Sequence, residues 1–116
     1  MIRKDIYIYP AVFVREREGY HVSFPDLSGL EVHIEDIEEL SKVKKVLADY
    51  IYTLEESNSE IPRPSFPNKI QIRENEFIQT IDIFMPDIRE KYFYYWILWF
   101  WLNLKIIYFL ICRKNK

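Results

Sequence analysis

The side chains that could do chemistry are few and scattered. Metal-assisted hydrolysis needs several carboxylates converging on Mg²⁺. Asp26, Glu35, Asp36 and Asp82 supply the number, but not the fixed spacing that makes a metal motif. Asp26 follows a proline in a turn, and Asp36 stands where a helix needs a cap, so both have structural uses. His21 and His33 could carry protons, yet each falls on a strand position that faces solvent. Cys112 has no His/Asp pattern around it and reads as inert. Gly19 and Gly29 are the only glycines, so there is no glycine-rich phosphate loop. The residues assign no catalytic group, metal or cofactor.

The elements that would position these groups can be read from periodicity. Ile6–Arg15 is rich in β-branched and aromatic residues, and Pro10 within it calls for an edge, a bulge or a strand start. Glu16-Arg17-Glu18-Gly19 is a polar turn in which Gly19 can take positive φ. Tyr20–Phe24 alternates, with Tyr20, Val22 and Phe24 on one face and His21 and Ser23 on the other. The two form a hairpin. Pro25-Asp26-Leu27-Ser28-Gly29 stops the second strand, and Leu30–Ile34 forms a short third one.

Asp36 reads as an N-cap with Glu39 as its capping-box partner. Ile37, Leu40, Val43, Leu47, Tyr50, Ile51 and Leu54 then recur at helical spacing, with Lys42, Lys44, Lys45 and Glu55 off the stripe. Ile61–Pro67 is a proline-stiffened loop. Lys69–Arg73 and Glu76–Met85 are the remaining strand candidates, and Pro86 ends the run. The sum is a small α+β domain, an antiparallel-rich sheet with one amphipathic helix across it. Tyr7, Tyr9, Tyr20 and Phe24 could stack bases, but no basic groove accompanies them and they read as a core face.

Charge divides the chain near residue 92. Of 116 residues, 18 are acidic and all of these lie within residues 1–91, against 12 basic ones there, a net of −6. Such a body suits a basic partner better than a phosphate backbone, so no nucleic-acid binding is expected. The start of the chain has no signal-peptide pattern, which reads as cytoplasmic.

The tail, 92–116, has no acid and four bases. Tyr92–Cys112 has 19 apolar or aromatic residues in 21, interrupted by Asn103 and Lys105. As a helix it would span about 31 Å, close to the thickness of a bilayer core. Three readings stay open. One is a membrane anchor at 92–112 with a basic flank, at the cost of placing Lys105 in lipid. Another is an out-of-frame peptide, because the residues are those of AT-rich codons. The third is a docking helix, which would need a homo-oligomer to cover it.

The motifs Tyr9-Pro10-Ala11-Val12-Phe13, Gly19-Tyr20-His21-Val22-Ser23-Phe24-Pro25-Asp26-Leu27-Ser28-Gly29 and Ile61-Pro62-Arg63-Pro64-Ser65 carry a resemblance. Their order resembles the HicB family of bacterial antitoxins over residues 5–85. The resemblance implies a fold like a truncated ribonuclease-H sheet. It implies no enzyme activity, but a domain that binds and masks a small basic, HicA-like toxin that cleaves messenger RNA. Family members usually add a C-terminal DNA-binding module. Asp82–Phe93 reads like the strand that leads to it, and no such pattern follows. The toxin interface is expected at the turn Phe24, Pro25, Asp26 and Leu27, with Tyr20 and His21 on the adjoining strand.

Overall fold

The computed structural model describes residues 3–114. They divide into two compact units, one up to Met85 and one from Pro86 onward.

The first unit is α+β. Strands β1 (Ile6–Glu16), β2 (Gly19–Ser23), β3 (Glu31–Ile34) and β4 (Glu76–Phe84) form one antiparallel sheet in the order β3-β2-β1-β4. The expected hairpin is present, its register closing on Glu16 opposite Gly19. Gly19 has φ +110°, and a Cβ there would lie 2.1 Å from the Ile34 carbonyl oxygen, so only glycine fits this turn.

Alternation builds the core. Tyr7, Tyr9, Ala11 and Phe13 of β1 are buried on one face with Val22, Ile34, Ile81 and Ile83 of the neighbouring strands. Phe13 stands between Val22 and Phe77 in the register and stacks on Phe77 with ring centroids 5.0 Å apart. Helix α1 (Leu40–Glu56) contacts β3 and β4, and buries Val43, Leu47, Ala48 and Ile51. The other face leaves Ile6, Ile8 and Phe84 about half exposed. β1 is an interior strand, but its pairing with β2 begins only at Val12. Pro10 therefore lies where one flank has no ladder partner, which satisfies its need for an edge.

Several expectations are corrected. Lys69–Arg73 is not a strand. Pro67 opens a short 3₁₀ turn, closed by the Ile70 N–H on the Pro67 carbonyl, and no sheet edge takes up the residues after it. The capping box is shifted: Asp36 accepts from the Glu38 N–H, but Glu39 reaches the Glu35 N–H, outside the expected pair. Ile37–Glu39 is a 3₁₀ turn ahead of α1, and Ile37 is exposed. Glu55 is buried, because Val43, Leu47, Ile51 and Glu55 continue one i, i+4 row toward the Tyr7 hydroxyl.

The second unit is one helix, α2 (Met85–Lys114, 30 residues). The expected strand-like linker Asp82–Phe93 does not run through: β4 stops at Phe84, and Pro86, whose φ already suits a helix, sits in the first turn of α2. From Pro86 on, no described side chain is buried. Asn103 donates to the Trp99 carbonyl at 2.8 Å, so its amide is satisfied within its own helix.

Candidate functional site

The loop after β2 is a built structure. The Phe24 N–H bonds the Leu30 carbonyl at 3.2 Å, and the Leu27 N–H bonds the Phe24 carbonyl at 3.0 Å. Phe24 and Leu27 point inward and are 3% and 1% exposed. Of the expected turn residues, Pro25 is exposed and Asp26 half-buried. Both Asp26 oxygens are engaged by Ser65, one by its N–H at 2.8 Å and the other by its hydroxyl. Asp26 thus fastens the Ile61–Pro67 loop to the β2–β3 loop. The Tyr50 hydroxyl of α1 adds a bond to the Ser28 carbonyl at 3.2 Å.

The six candidates do not form one surface. Phe24 and Leu27 are core. Tyr20 is half-buried and packs edge-on against Phe13 and Phe77. His21 lies on the opposite face, as strand alternation requires. There it sits across from His33 in the register, 3.5 Å from Glu31, while His33 is 3.6 Å from Glu16. These two histidines and two glutamates form a half-exposed band at one end of the sheet's open face, with the Lys42 ammonium on the His33 carbonyl at 3.2 Å. Both histidines are visible in the sequence, but their pairing follows only from the register of β3 on β2.

The carboxylates considered for metal chemistry are spread out. Asp26 holds Ser65, Asp36 caps the turn before α1, and Asp82 lies 3.6 Å from the Lys44 ammonium. Among the described residues, no group of three His, Cys, Asp or Glu is arranged to hold a metal ion.

Behind the loop the phenols do structural work. The Tyr9 hydroxyl donates to the Pro62 carbonyl, and the Tyr7 hydroxyl donates to Glu55 at 3.0 Å. Burial first, then the neighbouring Tyr7, Asp26 and Tyr50, pushes the Tyr9 phenol up to about 12. It stays neutral and keeps donating over the whole physiological range.

A cleft of about 530 Å³ opens beside this bond, between β1 and the Glu60–Pro64 segment. The residues that reach it were missed in the sequence, because it forms where β2 is shorter than β1.

No family model matches the chain, and no curated protein sequence matches it. Solved structures do. One is described as a toxin–antitoxin complex from Streptococcus pneumoniae; the match has a TM-score of 0.65 and 24% identity, over 72% of each chain. Another is a HicA3 and HicB3 toxin–antitoxin complex, with a TM-score of 0.54 and 22% identity, over 64% of this chain and 94% of that one. Over part of its length the chain has a HicB-like α+β fold.

Proposed function

We propose that the chain is an antitoxin whose α+β unit binds and masks a small basic toxin that cleaves messenger RNA. The observation that carries the reading is the likeness of its fold to chains of two toxin–antitoxin complexes. Two features agree with it. Residues 1–91 carry a net −6, suited to a basic partner. The carboxylates are spent on caps, loop bonds and an ion pair, an arrangement suited to a binding module and not to catalysis.

Of the residues expected at the interface, Pro25 is exposed and Asp26 and His21 are half-buried, and the surface offered to a partner extends from them to Glu16, Glu31 and His33. Phe24 and Leu27 support it from the core. The test is to mix the purified chain with the small basic protein encoded beside it, and to follow both binding and cleavage of a messenger RNA. Stoichiometric binding with loss of cleavage supports the reading. A folded chain that neither binds nor protects refutes it.

A second proposal concerns where the unit is held. α2 is long and apolar enough to cross a membrane, and no described side chain in it after Met85 is buried. Its apolar residues occupy the whole circumference and not a seam, and the Asn103 amide is satisfied internally. Both features suit lipid on all sides. The unit would then work at the cytoplasmic face of a bilayer. Retention in the membrane pellet through high salt, with release by detergent, supports this; a pellet that resists detergent is aggregate and counts against it.

A further inference from the structure

We propose that the cleft beside β1 is a slot for an added β-strand, filled by an extended segment of the protein partner. The proposal rests on the antitoxin reading for the identity of that partner.

The direction of the β1 backbone groups follows from two contacts. Glu16 lies opposite Gly19 at the two-residue turn, so Glu16, Val14 and Val12 exchange ladder bonds with β2. The Arg15 N–H bonds Asn75 next to β4, so the intervening residues face the other way. By the same alternation Ile6, Ile8 and Pro10 direct their backbone groups to the β2 side. There β2 has already ended, since its last residue, Ser23, pairs with Val12.

The cleft occupies this flank. Successive β1 residues, Ile6 through Tyr9, all line it. Side chains from both faces of a strand can line one cleft only if the cleft looks onto the strand's edge. Its far bank is the Glu60–Pro64 segment, tied to Tyr9 through the Pro62 carbonyl. Pro62 and Pro64 have no N–H, which leaves this bank short of ladder donors. A strand from outside can supply them. The open edge runs from Ile6 to Tyr9, with buried Pro10 closing its end, and admits about four residues at ~3.3 Å each. Ile6, Ile8 and Phe84 on the adjoining face are exposed, so an incoming strand whose alternate residues are apolar would extend an apolar surface already there. This is recognition by strand addition, in which the main chain supplies affinity and the alternate side chains supply selectivity.

The experiment is amide hydrogen exchange on the full chain in detergent micelles, with and without the neighbouring small basic protein. The Ile6 and Ile8 amides are expected to slow at least tenfold on binding. The variant Ile8→Pro removes one N–H on the slot side, and Pro10 establishes that β1 accommodates proline at that parity. It is expected to weaken binding tenfold or more, while Ile8→Val, which keeps the N–H, binds as the native chain does. If a complex forms while both amides exchange as in the free chain, the slot proposal is overturned and the antitoxin reading stands. If no complex forms, both fall. Should Ile8→Pro fail to fold, exchange in the native chain decides alone.

Discussion

Phe13 and Trp99 are both large aromatic residues, yet Phe13 has no exposed surface and Trp99 is 63% exposed. They stand for the two units of the chain. In the α+β unit apolar residues recur with period two on strands and near 3.6 on α1, with polar residues between them. Each element therefore has one face to bury, and the faces meet. In α2 the apolar residues are continuous, so the helix has no single face and no neighbour in one chain could cover it all round. Hydrophobicity alone does not make a core; its periodicity does, and where periodicity is missing the covering must come from outside, from lipid or another chain.

The contrast can be broken experimentally. The largest effect is expected for Phe13→Ala, which empties the stack on Phe77 and is expected to lower the stability of the α+β unit by about 3–5 kcal/mol in urea denaturation. Next comes alkaline unfolding. Tyr9 titrates near 12 in the folded chain against its ordinary value of 10. A raised folded value means that the stabilisation is complete below pH 10 and lost as pH rises toward 12. A shift of this size corresponds to about 3 kcal/mol. Comparing Tyr9→Phe with the native chain across that range isolates the contribution, since the variant lacks the group that titrates.

Asp26→Ala should have a smaller effect, about 1–2 kcal/mol, because it removes two bonds to Ser65 at a half-buried site. It should also loosen the Ile61–Pro67 loop, seen as faster exchange of the Ser65 amide. The smallest effect is expected for Trp99→Ala. It should change the denaturation midpoint of the α+β unit by less than about 0.5 kcal/mol, as for an exposed site. It would instead weaken retention in a membrane pellet. A large loss of α+β stability in this variant would break the contrast between the units.

Where the sequence was legible, the reason is again periodicity. The hairpin, the short third strand, the helix (expected from Ile37 to about Glu56, and α-helical from Leu40) and the last strand follow from alternation, Gly19, and the spacing of Val43, Leu47 and Ile51. What it concealed depended on distant partners. Glu55 looks like surface until Tyr7 is placed above it, 48 residues away in sequence. Ile70 and Ile72 look like a strand until the 3₁₀ turn opened by Pro67 is seen to lead into them and no strand pairs with them. Asp26 looks free in the sequence until Ser65, 39 residues on, is seen to engage both its oxygens. Two of the three motifs that carry the HicB resemblance are joined by that bond, which gives a physical reason for them to occur together. The six residues expected to share one surface do not: alternation sends Tyr20 and His21 to opposite faces, and the turn buries Phe24 and Leu27.

The most direct test of the central claim is growth. Cells that express the neighbouring small basic protein alone are expected to arrest, and cells that also express this chain are expected to keep growing, with their messenger RNA intact. Arrest that persists although the chain is present and folded would contradict the antitoxin reading.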